Sequence, residues 1–209
     1  PIILQTKGFD ANKQIILGHN QEDSIVMVNA TIDPYLNIPA QMVRFRVLNG
    51  GSQRVYNIGL SNGMSFYQIA SDGGLLNEPV SLNRLLLVPG ERAELIIDFS
   101  NMKGDSIMLM SYASEIQKGI YTGTDSRIYN TDGAEKEGTS PVQIIPGYAN
   151  NPLNGNDFAL INYYIGDTTS LPIFSIPNTL NHLVPYLESE SDRLRHFQLN
   201  FGETGAVNA

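Results

Sequence analysis

Met42-Val43-Arg44-Phe45-Arg46-Val47-Leu48, followed by Asn49-Gly50-Gly51, carries the clearest structural pattern of the chain. Apolar residues alternate with two arginines at a period of two. On an extended backbone this sends Val43, Phe45 and Val47 to one face of a sheet and Arg44 and Arg46 to the other. Asn-Gly-Gly then marks a turn, because these residues tolerate the backbone conformations a reversal needs.

Outward from this strand the same pattern repeats. Val55 to Leu60, Phe66 to Ala70, Arg84 to Val88, Ala93 to Phe99 and Ser106 to Tyr112 read as strands. Ser61-Asn62-Gly63, Asp72-Gly73-Gly74 and Pro89-Gly90-Glu91 read as the turns between them. Strands at intervals of about 8–12 residues predict an all-β sandwich or barrel. Pro1-Ile2-Ile3-Leu4-Gln5 reads as the middle of a strand, without an initiator Met or the layout of a signal peptide, so further chain is expected upstream.

The second half changes character. Gly119 to Asn156 is rich in Gly, Asn, Thr and Pro and reads as a surface loop, most polar at Asp132 to Gly138 and interrupted by a short strand at Val142 to Ile145. Phe158 to Ile165 reads as a further strand. Pro172, Pro177 and Pro185 then exclude a long helix or a central strand. Glu188-Ser189-Glu190-Ser191-Asp192 is a solvated acidic run, and Leu194 to Phe201 restarts strand periodicity. The expected organisation is a domain over 1–165, a Pro-rich and acidic linker over 166–192, and the opening strand of a further domain over 193–209.

Composition bounds the chemistry. The 209 residues carry a formal charge of −8, with 42% hydrophobic and 16% charged residues, which is a globular balance. An acidic chain without clustered Lys and Arg disfavours nucleic acid as a partner. No apolar run approaches the ~20 residues of a membrane helix. There is no cysteine, which excludes disulfides, thiolate metal sites and cysteine nucleophiles. A histidine-based metal site would have to come from His19, His182 and His196, and no H-x-H or H-E-x-x-H pairing brings two of them together.

Other candidates are equally bland. No G-x-S-x-G elbow supports a Ser–His–Asp hydrolase. Asp72-Gly73-Gly74 lacks the spacing of a phosphate-binding loop and reads as a turn. Glu91 with Arg92, or Arg44 with Glu94, read as structural ion pairs on a sheet face. Asp72, Asp98 and Glu91 could be imagined as paired carboxylates for glycoside cleavage, but nothing in the sequence sets their separation. Tyr163-Tyr164 places one ring on each face of a strand, so one is expected in the core and a sugar-binding platform has little support.

Three ordered segments carry a family likeness: Val43 to Gly50, Tyr67 to Val80 with Ser71-Asp72-Gly73-Gly74 inside it, and Val88-Pro89-Gly90-Glu91-Arg92 running to Phe99. Together they resemble the second cupredoxin domain of three-domain multicopper oxidases, in the bacterial cuprous-oxidase, laccase and spore-coat group. Val28-Asn29-Ala30-Thr31 resembles the family's V-N-G segment, with Ala30 where glycine is usual. The resemblance implies a cupredoxin-like Greek-key β-sandwich. It also implies a parent that oxidises a reductant one electron at a time and reduces dioxygen to water. In that family the coppers are held by the outer domains, so no catalytic, cofactor-binding or metal-ligating residue is carried over to this chain.

The likeness further implies a middle domain that joins flanking cupredoxin domains, in a periplasmic or extracellular protein, with self-association when its interfaces are bare. Two other readings stand beside it: the scaffold of a copper-free relative acting in the cell envelope or division, and a carbohydrate- or protein-binding module.

Overall fold

The computed structural model describes residues 1–17, 23–117, 120–124, 127–129, 142–144 and 148–195. Two sheets pack face to face. The larger contains β1 (Ile2–Lys7), β2 (Ile25–Val28), β3 (Thr31–Ile32), β5 (Met42–Asn49), β7 (Phe66–Ser71), β8 (Gly74–Leu82) and β10 (Arg92–Asp98), in the order β3-β2-β1-β5-β10-β7-β8. The smaller contains β4 (Tyr35–Pro39), β6 (Tyr56–Leu60), β9 (Leu85–Leu87), β11 (Ser106–Ser111) and β14 (Phe158–Gly166), in the order β4-β14-β11-β6-β9. Among the described residues, helix is limited to 3-10 turns at Ala113–Glu115, Tyr148–Asn150 and Glu188–Glu190. The all-β sandwich expected from strand spacing is the fold observed.

Strand β5 behaves as its period dictates. Phe45 and Val47 are buried while Arg44 and Arg46 face outward, and the strand lies between parallel β1 and antiparallel β10. The core joins the sheets through an aromatic cluster. Phe45 of β5 stacks on Tyr163 of β14 with ring centroids 5.3 Å apart, and Phe99 meets Tyr163 edge-on at 5.9 Å. Such pairs contribute about 0.5–1.5 kcal/mol beyond the area they bury. Alternation breaks on β14, where Leu160 and Ile161 are both buried. A register shift opposite Leu109/Met110 explains this, since one extra residue turns the following side chains to the other face.

Several expectations need correction. Strands β2, β3, β4 and β8 are not legible in the sequence. β8 lies at a sheet edge, is mostly exposed and contains Pro79, so it shows neither alternation nor propensity. The loop expected over 119–156 is not simply surface: Thr122, Tyr148, Asn151 and Leu153 are buried. Their polar groups are used internally, with the Thr122 hydroxyl donating to Val55 O at 2.9 Å and Tyr148 Oη to Gly123 O at 2.7 Å. The short strand is β13 (Val142–Ile144), and it pairs with β12 (Arg127–Tyr129), which the sequence does not suggest. The polar stretch Asp132 to Gly138 lies outside the described residues, as does the expected strand to Phe201 from residue 196 onward. Leu194 and Arg195 are not in a strand.

Candidate functional site

The carboxylates weighed for catalysis are each absorbed by local structure. Asp72 Oδ1 accepts the backbone N–H of Arg92 at 2.9 Å and lies 3.2 Å from its Nε. Glu91 Oε2 accepts from Val88 N at 2.9 Å, closing the turn that contains Pro89 and Gly90. Asp98 Oδ1 accepts from Ser100 N at 2.9 Å. Asp98 ends β10 whereas Glu91 precedes it, a span of about 20 Å at ~3.3 Å per residue, far beyond the ~5–10 Å of a glycosidase pair. The ion pair expected between Glu91 and Arg92 does not form, because Arg92 turns to Asp72 across the neighbouring hairpin. Arg44 and Glu94 do pair, on the exposed face of β5 and β10.

The histidines do not converge. His182 is exposed, and its backbone N–H donates to Asn181 Oδ1 at 2.8 Å. His19 and His196 lie outside the described residues. Among the described residues no three His, Cys, Asp or Glu side chains stand close enough to hold a metal ion. A type 1 copper needs a cysteine thiolate, which this sequence lacks, so its donors do not fit that centre. Of the tyrosines, Tyr163 is wholly buried and unavailable to a ligand. Tyr164 is 48% exposed and meets Tyr35 edge-on at 5.9 Å rather than forming a flat platform with it.

One buried cation has no signal in the sequence. Arg54 is only 4% exposed. Its Nη2 donates to Asn154 Oδ1 at 3.0 Å, while Nε and Nη1 have no partner among the described residues. Burial depresses its pKa, opposed by Tyr56, Tyr121, Tyr148 and Asp23. Its guanidinium sits 5.9 Å from the Phe158 ring centroid, where part of the desolvation is offset by the ring's negative face.

The residues after β14 form an extended strap laid against the larger sheet. Gln41 Oε1 accepts from Thr169 N at 3.2 Å and Thr169 Oγ1 at 2.8 Å, and Met42 N donates to Ile173 O at 2.9 Å. Farther along, the carbonyl of Asn77 accepts from Leu180 N at 2.8 Å, and its Oδ1 accepts from Leu183 N at 3.1 Å. The prolines leave this segment short of internal partners, and the side chains of Gln41, just before β5, and Asn77 of β8 supply some of them, with the backbone of Met42 and Asn77 supplying others. Leu171, Phe174, Val184 and Tyr186 of the strap stay exposed, Tyr186 by 95%. The sequence marks the strap as a linker but holds no sign that Gln41 and Asn77 fix its path.

No family model matches the sequence. It is similar to the laccase of Bacillus subtilis, 47% identical over 88 residues, which cover 42% of this chain and 17% of the laccase. It is also similar to the cell division protein FtsP of Xenorhabdus nematophila, 35% identical over 143 residues, covering 63% of this chain and 29% of that protein. In structure it resembles the McoA multicopper oxidase 2F4 variant from Aquifex aeolicus with a TM-score of 0.65 and 26% identity, over 91% of this chain and 36% of that one. The chain thus spans less than a third of the length of these two sequence relatives.

Proposed function

We propose that this chain, a cupredoxin-like domain homologous to part of the laccases and multicopper oxidases, is a non-catalytic middle domain that joins and positions copper-bearing neighbours. The parent would couple one-electron oxidation of a substrate to reduction of dioxygen to water. The observation that carries this reading is the strap, fixed to the sheet at Gln41 and Asn77 while its own apolar side chains face outward. An isolated domain gains nothing from ordering such a segment. A domain that must hold a neighbour at a set distance and present an apolar surface to it does.

The donor inventory supports the same reading: with no cysteine and three scattered histidines, copper chemistry falls to other domains. The proposed organisation is the domain over 1–165, the linker over 166–192 and the start of a third domain from 193. A periplasmic or extracellular location accords with the likeness; among the described residues no helix is long and apolar enough to cross a membrane. The test is reconstitution. The chain incubated with copper is expected to bind none stoichiometrically, show no blue absorption and turn over no phenolic or metal-ion reductant. Appearance of any of the three refutes the proposal. Light scattering at rising concentration is expected to show self-association through the bare strap, and a strictly monomeric chain counts against that part.

The match to a cell division protein, over 143 residues, favours a second reading: the same scaffold in a copper-free relative of the cell envelope. The two part at the flanking sequence. H-x-H pairs and an H-C-H motif in the full gene select the oxidase, and their absence selects the relative.

A further inference from the structure

The outer face of the larger sheet carries a concavity of about 560 Å³, within the ~300–1,000 Å³ typical of small-molecule pockets. Ile3 and Leu48, adjacent across β1 and β5, floor it, and Leu75 from the β7–β8 hairpin closes one side. Three guanidinium groups and two carboxylates stand around these apolar side chains. Their pairing is unequal. Glu94 lies directly opposite Arg46 in the β5–β10 register, yet both Nε and Nη2 of Arg44 reach it diagonally. Asp72 holds Arg92. Of the three arginines, Arg46 alone has no ion-pair partner among the described residues. The side chains of the lining are left with one positive charge in excess, on a chain whose net charge is −8, and Pro1, the first residue, lines the concavity as well.

We propose that this concavity binds a small carboxylate with an apolar body, an aromatic acid being the simplest case. Arg46 takes the carboxylate, and Ile3, Leu48 and Leu75 take the body. The planar guanidinium matches a carboxylate in a two-point contact that neither a cation nor a neutral ligand supplies. An inorganic anion would leave the apolar floor wet. Glu94 and Asp72 do not compete, because each is already engaged by an arginine of its own.

The test is titration of the chain with benzoate followed by amide NMR, with benzyl alcohol as the uncharged control. Saturable shifts are expected around Arg46, Leu48 and Leu75, with benzyl alcohol binding weaker by about tenfold or more, since it lacks the charge and the second oxygen of the two-point contact. Arg46→Gln should lose about the same factor and Arg46→Lys less, while Lys103→Gln, outside the concavity, should leave binding unchanged. Raising the salt should weaken benzoate only. Equal binding of benzoate and benzyl alcohol, an unaffected Arg46→Gln whose spectrum shows it folded, equal losses in Lys103→Gln, or no saturable shift at these residues each overturns the proposal.

Discussion

Asn49 donates from Nδ2 to the carbonyl of Leu87 at 2.9 Å, so a fully buried side chain ties β5 of the larger sheet to β9 of the smaller. The same amide donates to Arg54 O at 2.7 Å, and its Oδ1 accepts from Gly51 N at 2.9 Å. Each polar atom of one buried side chain is thereby used, and each use closes a different loop.

Replacing that residue should be severe. Asn49→Ala leaves two carbonyls and an N–H without partners and is expected to cost about 2–4 kcal/mol. Asn49→Asp should cost at least as much, since a carboxylate cannot donate to Leu87 O or Arg54 O and its charge is buried. Denaturant unfolding measures both; an Asp variant as stable as the parent chain would remove this role.

The β2–β3 turn predicts a gain. Asn29 and Ala30 have φ of 51° and 62°, the left-handed pair of a tight hairpin turn in which the second residue prefers to be glycine. An alanine there carries a steric penalty of about 1 kcal/mol. Ala30→Gly should therefore raise stability by about 0.5–1 kcal/mol and raise Tm in a calorimetric scan.

Gly59 is required for a different reason. A Cβ on it would stand 2.8 Å from Asn83 O and 2.7 Å from Arg84 Nη1. Arg84 is held in that place by Glu115, at 2.8 and 2.9 Å, and by the Tyr112 ring, whose centroid is 3.4 Å from its guanidinium carbon. Gly59→Ala should cost about 1–3 kcal/mol by urea unfolding, because Asn83 O is backbone and yields little.

Alkaline stability should report on Tyr56. Burial pushes its phenol up to about 12, against an ordinary value of 10.0. Between these pH values the unfolded chain has lost a proton that the folded chain retains, so stability falls as pH rises through that window. The loss should approach about 2–3 kcal/mol from this residue. Tyr56→Phe should remove its share of the decline in thermal melts taken between these pH values, leaving the part that comes from Tyr163 and Tyr121, whose phenols burial also raises; an unchanged slope would rule Tyr56 out as a source.

The strap should loosen without the two side chains that hold it, although its backbone contacts to Met42 N and Asn77 O stay. Gln41→Ala together with Asn77→Ala removes the acceptor for Thr169 and the side-chain acceptor for Leu183. Limited proteolysis should then cut within the strap several-fold faster while the melting transition of the sandwich hardly moves.

Features of this protein that depend only on near neighbours along the chain are legible in its residues. The alternation from Met42 to Leu48 decided which side chains face inward, and Ala93 to Phe99 was readable for the same reason: backbone geometry alternates side chains whatever lies beyond them. The absence of cysteine removed a blue copper from this chain without any coordinates. Features that depend on partners distant along the chain emerge only once it is folded. Asn49 reads as a turn residue until Leu87 is placed beside it, Asn77 is unremarkable until the strap crosses it, and Arg54 looks like a surface arginine until the residues around 148–154 cover it. Arg46 is the sharpest case. It and Arg44 have the same period and the same face, and the reach of Arg44 across the strands to Glu94 leaves one of them paired and the other without an ion-pair partner among the described residues.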